Sequence, residues 1–337
     1  MSKLFMLDDG ASALDLALRG FGRLHSDIVT VLSDPVAVIA KQRSPGRRVG
    51  LVSGGGSGHE PLHGGFVGSG MLDAAAPGRV FASPHNRQVY AASREVAGPD
   101  GVLHIVKNYT GDRINFGIAA ERLAGDGIAV RRVLVNDDIA TDNADTGTGR
   151  RGTAATVLVE KILGAAADDG MSLDELAVLG QTVAESCCSL GVAARAQSTL
   201  PDGDTAFELG PDKLEYGVGI HGERAAETVD RPPLPELVDR MCTDILAKMP
   251  DDGQEVGVLI NGLGSATQLE LYSVFAQVTE HLDSRSERIC ASLVGTFVPA
   301  LDMHGFSITL ARLRPEWLEW LSRPVLTPFP LTVVTYV

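Results

Sequence analysis

The sequence is poor in cysteine, and its four cysteines do not stand at spacings that bind zinc. Cys187 and Cys188 are adjacent, Cys242 and Cys290 are isolated, and no C-x-x-C pair occurs. Adjacent cysteines rarely bridge to each other, because their side chains point in different directions. The pattern argues against a structural metal site and a disulfide framework. We expect free, buried thiols and a cytoplasmic protein.

Long apolar runs are also missing. No stretch reaches the roughly 18–20 apolar residues that a membrane-spanning helix needs. Residues 1–5 (MSKLF) lack the apolar region of a signal peptide. These absences predict a protein that neither spans a membrane nor is exported.

Basic residues are outnumbered by acidic ones. The chain has 29 Lys and Arg against 43 Asp and Glu, which gives a formal net charge of -14. A surface this acidic repels phosphate backbones and anionic lipid. We therefore expect neither nucleic acid nor a membrane surface as a partner. Any phosphate contact must be local or come from another chain.

What the sequence does contain is enough apolar material for a large core, arranged in strands that end in polar loops. Of the 337 residues, 44% are hydrophobic. Apolar runs at 49–52, 102–106 and 130–135 each lead into a polar loop, and amphipathic helices are predicted at 14–31 and from 114 onward. Such alternation predicts a largely parallel sheet, with the polar loops and a ligand at the carboxyl ends of its strands.

The second half of the chain repeats this pattern, for example in the apolar run at 256–260. The length suits two domains or one large α/β domain. We predict an α/β fold of two lobes, each a mostly parallel or mixed sheet flanked by helices. The N-terminal lobe, 1–188, carries a glycine loop and Asp112, and the C-terminal lobe, 189–337, carries His221.

The glycine loop is the segment 53–61, with the sequence SGGGSGHEP. Glycines after a strand allow a backbone to approach a ligand closely. A P-loop would require lysine after Gly58, where His59 stands. A dinucleotide fingerprint that begins at Gly54 would also require Gly or Ala at position 59. The loop is therefore predicted to bind a ligand without the residues that hold a nucleotide; a plain structural turn is the alternative.

Asp112 and His221 are the other candidates for chemistry. Asp112 ends the segment KNYTGD, where its carboxylate can accept a proton from a hydroxyl; the alternative is an N-cap of a helix that begins near Ile114. His221 stands between glycines in GIHGE, predicted as a strand running into a turn. A neutral imidazole can add to a ketone carbonyl to give a hemiaminal. The alternative is a structural histidine.

These segments, together with VNDD at 135–138, GRRG at 149–152 and NGLG at 261–264, occur in the same order in one family. The sequence resembles the substrate-binding subunit of dihydroxyacetone kinases from near residue 10 to near residue 325. The resemblance implies a two-lobed α/β fold and a homodimer. It also implies that dihydroxyacetone, or a similar short ketose, binds covalently to His221.

The resemblance also implies roles for single residues. His221 attacks the carbonyl carbon, His59 hydrogen-bonds and polarises the ligand, and Asp112 is the base toward the terminal hydroxyl. Glycerol has no carbonyl group and therefore cannot form this covalent adduct. The remaining residues expected to contact the substrate are Gly56, Ser57, Gly58 and Lys107.

The phosphoryl donor is expected on another protein. The family places nucleotide and magnesium on a separate helical domain or subunit, and its fused members continue well past the position of Val337. We therefore expect no cofactor on this chain alone, with ATP and Mg²⁺, or a phosphotransferase-relay donor, on a helical kinase subunit. The acidic stretch at 202–205 is expected to be a solvated turn.

Two further functions stay open. Departures from the family pattern at His85, at Arg224 and over 295–300 leave a four-carbon ketose such as erythrulose possible as substrate. Some relatives are ketose sensors that act as transcriptional coactivators, and both classes would keep His221. Asp112 favours the enzyme, because a sensor needs no general base. A generic nucleotide-binding protein is disfavoured by the two failed glycine motifs.

Overall fold

The computed structural model of the protein describes Leu4 and residues 10–142, 149–200, 203–225 and 227–336. Within these ranges, helices and strands build two sheets. No helix among them is long and apolar enough to cross a membrane. All four cysteines are free and buried, as the sequence predicts.

The helices and strands have the following bounds. The helices are α1 (Gly10–Leu24), α2 (Asn86–Val96), α3 (Thr110–Gly125), α4 (Ala155–Asp168), α5 (Leu173–Glu185), α6 (Leu234–Leu246), α7 (Gln268–Ser284) and α8 (Pro315–Ser322). The strands of the first sheet are β1 (Val29–Ser33), β2 (Val36–Ala40), β3 (Val49–Ser57), β4 (Ala74–Val80), β5 (Gly101–Lys107) and β6 (Val130–Val135). The strands of the second sheet are β7 (Cys187–Arg195), β8 (Lys213–Tyr216), β9 (Glu227–Asp230), β10 (Glu255–Gly262), β11 (Ile289–Gly295), β12 (His304–Leu313) and β13 (Val334–Thr335).

The first sheet has the strand order β1-β2-β4-β3-β5-β6. Strands β4, β3, β5 and β6 are parallel, whereas β1 and β2 pair antiparallel at one edge. Every residue of β3 and β5 is buried, as expected for strands covered by helices on both faces. The carboxyl ends of β3, β5 and β6 therefore share one edge, so the polar loops that follow them lie side by side, as predicted.

The second sheet has the order β13-β11-β10-β12-β7-β8-β9. Among its described strands, β10 and β11 pair in parallel and the other pairs are antiparallel. The predicted α/β fold with mixed sheets is confirmed. Over 218–223 the sequence predicts a strand that runs into a turn; the strand is wrong, because β8 ends at Tyr216, whereas His221 does lie in a turn beyond it. Gly217 and Gly222 have φ of 93° and 80° there, values that break a strand.

Two helix boundaries also differ from the prediction. The helix predicted over 14–31 ends at Leu24, and residues 29–31 belong to β1, which pairs with β2. Here the β-branched pair Val29 and Val31 outweighs the apolar spacing that suggested a continuous helix. The helix predicted from Ile114 begins earlier, so that α3 includes Asp112 in its first turn.

One cluster of buried apolar side chains joins the two sheets. It contains Leu51 of β3 and Leu259 of β10. The segment after α8 also returns to the first sheet, where the amide of Phe329 donates to the carbonyl of Gly65 at 2.9 Å. The division into lobes between residues 188 and 189 stays a prediction.

Asp137 ties the carboxyl end of β6 to both α4 and the second sheet. Its carboxylate accepts hydrogen bonds from the amide and hydroxyl of Thr153, each at 2.6 Å, and from the amide of Ala155 at 3.1 Å. It also accepts the hydroxyl of Ser189 on β7 at 2.5 Å, and the amide of Ser189 donates to its backbone carbonyl at 2.7 Å. The buried carboxylate thus accepts hydrogen bonds both from the start of α4 and from β7.

We predict that Asp137→Ala lowers the free energy of unfolding by about 3 kcal/mol or more, because several buried donors lose their acceptor at once. Chemical denaturation measures the change. The control is Asp230→Ala, which removes an exposed ion pair with Lys213 and is expected to cost under about 1 kcal/mol. Equal, small effects of both variants would contradict a structural role for Asp137.

Candidate active site around His221

Three aromatic rings surround the imidazole of His221. His59, at the end of the glycine loop, and Tyr109, in the turn between β5 and α3, have ring centroids 4.7 Å and 4.5 Å from it, both edge-on. Phe81, which follows β4, lies 5.8 Å away. The fold therefore brings together two predicted site residues, His59 and His221, that are far apart in sequence.

Glu223 orients the imidazole of His221. Its carboxylate accepts the backbone amide of His221 at 2.9 Å, and its Oε1 lies 3.4 Å from Nδ1. Burial would raise the pKa of Glu223, but the hydrogen bond from His221 and the charges of His221 and Arg151 bring it to about 2. An ionised carboxylate keeps the proton on Nδ1, so that Nε2 offers its lone pair.

The positive charge of Arg151 stabilises the ionised carboxylate of Glu223. Its guanidinium lies 4.0 Å from Glu223 and forms an ion pair with Asp138 at 2.6 Å. A side chain at Gly219 would collide with both, since a Cβ would lie 2.2 Å from Glu223 and 2.4 Å from Arg151. Glu223 and Arg151 stand in segments that the sequence singled out, but nothing in their local pattern indicated that they meet.

His59 is held in one tautomer by a backbone carbonyl from the second half of the chain. Its Nδ1 lies 2.7 Å from the carbonyl oxygen of Pro299, so Nδ1 must carry a proton and donate it. Nε2 is then an acceptor, and it is buried without a hydrogen-bond partner among the described residues. Burial, with the charges of His221 and Lys107, holds the pKa of His59 well below its usual value. A neutral His59 can therefore accept a hydrogen bond from a ligand hydroxyl.

Other buried polar atoms of the described chain also lack hydrogen-bond partners. They include the hydroxyl of Tyr109, whose ring packs on His221, Oε1 of Gln197, whose side chain lies beside Gly222, and Oδ1 of Asp112, whose charge acts on Lys107. Burial, followed by the charge of Glu223, raises the pKa of Tyr109 well above its usual value, so its phenol stays a donor. Buried polar groups are normally hydrogen-bonded. Buried polar atoms without hydrogen-bond partners, such as those of His59 and Tyr109 beside His221, therefore indicate a site for a small polar ligand.

Asp112 is not the cap of its helix. The N-cap of α3 is Tyr109, and Asp112 occupies the third position inside the helix. The N-cap alternative weighed for Asp112 is therefore wrong. Its carboxylate is buried, close enough to Lys107 for its charge to favour the ammonium form. The side chain is thus available to a ligand rather than committed to the backbone.

Lys107 ends β5 beneath the glycine loop and is fully buried. Its Nζ lies 2.9 Å from Nε2 of His63. A Cβ at Gly55 would lie 2.2 Å from this Nζ, so a glycine at this position lets the ammonium pack against the loop backbone. The buried His63 was missed in the sequence, where a lone histidine after the loop gave no signal.

The other residues predicted to contact the substrate are Gly56, Ser57 and Gly58 of the glycine loop. Gly58 has φ of 101°, which favours glycine, and a Cβ at Gly56 would lie 2.7 Å from the amide nitrogen of Ala82. The hydroxyl of Ser57 donates to the carbonyl of Gly78 at 2.7 Å. The loop backbone is thus tightly packed, and the Ser57 hydroxyl is used to hold it to β4.

Metal ligands do not converge anywhere in the part of the chain that the structure describes: no group of three or more His, Cys, Asp or Glu could hold a metal ion there. Asp202, in the acidic stretch at 202–205, lies outside the described residues.

Comparison with known proteins finds matches over almost the whole chain. The model of the Dak1 domain matches residues 19–329. A Listeria innocua relative, "PTS-dependent dihydroxyacetone kinase 1, dihydroxyacetone-binding subunit DhaK", is 41% identical over 323 residues, which cover 95% of this chain and 98% of the relative.

Two solved structures share the fold over almost the whole chain. The dihydroxyacetone kinase from C. freundii in complex with AMP-PNP and Mg²⁺ has a TM-score of 0.90 and 36% identity, covering 100% of this chain and 62% of that one. The "Dihydroxyacetone kinase operon co-activator Dha-DhaQ" has a TM-score of 0.89 and 32% identity, covering 94% of this chain and 98% of that one.

The geometry of His59 predicts its protonation state. We expect the ring to stay neutral, with the proton on Nδ1, through its ordinary titration range, because burial, followed by the neighbouring His221 and Lys107, opposes a second proton. Nitrogen-15 NMR of the imidazole, assigned with His59→Gln, measures it. Titration of His59 near its ordinary pKa of about 6.5 would contradict this prediction.

Proposed function

Because this chain belongs to the Dak1 domain family, we propose that it is the substrate-binding subunit of a dihydroxyacetone-type kinase. It holds a short ketose on His221 and presents the terminal hydroxyl for phosphorylation. The observation that carries the proposal is that His59 and Tyr109, each with a buried polar atom that lacks a partner in the described chain, pack on an imidazole whose Nδ1 faces Glu223.

The trapping step is an addition to the ketone. The Nε2 lone pair of His221 forms a bond to the carbonyl carbon, the carbonyl electron pair moves to oxygen, and that oxygen takes up a proton from solvent. The imidazole keeps its Nδ1 proton and becomes a cation balanced by Glu223. His59 accepts a hydrogen bond from a ligand hydroxyl through Nε2, and the phenol of Tyr109 can donate one.

Phosphorylation needs a hydroxyl aligned with the donor and a group that takes its proton. Asp112 is proposed as this base for two reasons. Its Oδ1 has no partner within the described chain, and it lies in the first turn of α3, whose N-cap is Tyr109. The donor is proposed to lie on a helical partner subunit, either as ATP with Mg²⁺ or as a phosphotransferase-relay protein. The names of the relatives support both: one is PTS-dependent, and another was solved with AMP-PNP and Mg²⁺.

The homodimer and the cytoplasmic location belong to the same proposal. The family resemblance supports the first, and the free, buried thiols support the second.

The departures from the family pattern bear on which ketose is bound. His85 caps α2 by accepting the amide of Arg87, and Arg224 pairs with Glu215 at 2.9 Å, so both have roles in the fold. Only the stretch 295–300, among these three, contacts a site residue, through the carbonyl of Pro299 on His59. A four-carbon ketose therefore stays a possible substrate, with selectivity decided near His59.

A second candidate function is a ketose sensor that acts as a transcriptional coactivator. The observation that favours it is the similarity to the co-activator Dha-DhaQ at a TM-score of 0.89. Both functions use His221 as the trap. Only the enzyme needs Asp112 as a base.

We predict that His221→Ala abolishes the covalent adduct, whereas His304→Ala retains it, since His304 begins β12 and lies beside Glu270. Crystals soaked with dihydroxyacetone should show continuous density from Nε2 of His221 to the ketose carbon in the unmodified protein. Borohydride should leave no permanent label, since a hemiaminal has no C=N bond to reduce. Equal ketose affinity in His221→Ala, or a borohydride-trapped Schiff base on Lys107, would overturn the assigned chemistry.

We predict that Asp112→Asn retains ketose binding while turnover with the partner subunit falls by about 10²–10⁴-fold, the usual contribution of a general base. Asparagine keeps the size of the side chain but cannot accept the hydroxyl proton. Steady-state kinetics and calorimetry measure the two effects, with Glu121→Gln on the exposed face of α3 as control. Near-normal turnover in Asp112→Asn would remove the argument for an enzyme over a sensor.

A further inference from the structure

Behind the glycine loop lies a buried chain of ionisable groups that the proposed reaction does not use. Nε2 of His63 is 2.9 Å from Nζ of Lys107, and its Nδ1 is 2.6 Å from Oε1 of Glu160 on α4. The hydroxyl of Ser53 lies 2.9 Å from the same Nδ1 and donates to the carbonyl of Ile105. All three ionisable side chains are buried.

The donors and acceptors in this chain fix its proton arrangement. A lysine ammonium has only donors, so it donates to Nε2 of His63. The proton of the neutral imidazole then stands on Nδ1 and is donated to a Glu160 carboxylate. Other arrangements with the same number of protons move a Lys107 proton to Nε2. The Nδ1 proton then either stays, which leaves a neutral amine beside an imidazolium–carboxylate pair, or passes to Glu160, which leaves a neutral amine and a carboxylic acid. With this number of protons, a charged Lys107 therefore requires a neutral His63 and an ionised Glu160.

We infer that Glu160, acting through His63, is a positioning residue that keeps Lys107 charged and aimed at the glycine loop beside the ketose. This inference rests on the proposed function of the same site. Neither His63 nor Glu160 needs to touch the substrate. Their effect reaches it through the ammonium of Lys107, which packs where a Cβ of Gly55 would otherwise be.

Within the described ranges, four charged or titratable groups face Lys107. They are His59 in the glycine loop, His63 in the turn after it, Asp112 on α3 and Glu160 on α4. The two histidines are neutral, because burial holds the pKa of each well below its usual value. Lys107 therefore has two counter-charges, one at the ligand and one on the far side of His63.

This arrangement matters when Asp112 takes the hydroxyl proton. Asp112 then loses its negative charge, and Glu160 is the remaining carboxylate, among the described residues, that supports the ammonium. Burial lowers the pKa of Lys107, and the charges of Asp112 and Glu160 oppose that effect. Burial raises the pKa of Glu160 to about 8, although the hydrogen bond of Ser53 and the charge of Lys107 lower it. Glu160 is therefore fully ionised on the alkaline side, where Lys107 would otherwise lose its proton.

The test is the pH dependence of dihydroxyacetone affinity in Glu160→Gln, measured by calorimetry on the whole chain from pH 6 to pH 10. Glutamine still accepts the Nδ1 proton of His63 but carries no charge. Without that charge the pKa of Lys107 falls, so the alkaline loss of affinity should begin about 1–3 pH units lower than in the unmodified protein.

Two matched variants accompany this test. Asp168→Asn removes another carboxylate of α4, one that pairs with Arg47, and should leave the profile unchanged. Glu160→Asp keeps the charge and should therefore show a smaller shift of the profile than Glu160→Gln. If Glu160→Gln traps the ketose on His221 with an unshifted profile, the inference is overturned and the proposed function survives. If the unmodified protein binds no ketose at any pH, both fall.

Should Glu160→Gln fail to fold in a thermal melt, the unmodified protein decides the matter. Its lysines are labelled with nitrogen-15, and the Nζ signal of Lys107 is identified by its loss in Lys107→Arg. Affinity should decline at the pH at which this signal titrates. Titration of Lys107 at a pH where affinity stays constant would overturn the inference.

Discussion

The site depends on the hydrogen bonds that Asp137 makes across the two sheets. His59, Tyr109 and Asp112 come from the first sheet and its loops, whereas His221, Glu223 and Pro299 come from the second half of the chain. Asp137 binds the end of β6, the start of α4 and strand β7 with one carboxylate. Together with the hydrogen bond from His59 to Pro299, this joint holds the rings of His59 and His221 at 4.7 Å.

Burial sets the chemistry that these residues can perform. Burial disfavours charge, so a buried histidine stays neutral, whereas hydrogen-bond donors and neighbouring positive charge keep a carboxylate ionised. His59 follows the first rule and Glu223 the second. The result is an acceptor on one side of His221 and a negative charge on the other. The imidazole between them has Nδ1 toward Glu223, which leaves Nε2 as the nitrogen that can add reversibly to a ketone.

The glycine loop shows why local sequence could suggest a ligand site but not its construction. The absence of a P-loop lysine and of a dinucleotide fingerprint was readable from the segment itself. The reason for glycine at position 55 was not, because it is the Nζ of Lys107, which arrives from β5, that would collide with a side chain. The supporting partners of the site, His63 with Glu160 and Glu223 with Arg151, were hidden for the same reason.

The sequence by itself determined the class of fold, the family, and the segments that carry the chemistry, because motifs at the ends of strands keep their order along the chain. It misjudged places where tertiary contacts override local pattern: the helix predicted to residue 31 gives way to β1, and the strand predicted at 218–223 is a loop bent by Gly217 and Gly222. Only the tertiary structure decided that Asp112 lies inside α3, that Pro299 fixes the tautomer of His59, and that a buried lysine faces two carboxylates. These facts depend on residues far apart in sequence, whose proximity no local spacing encodes.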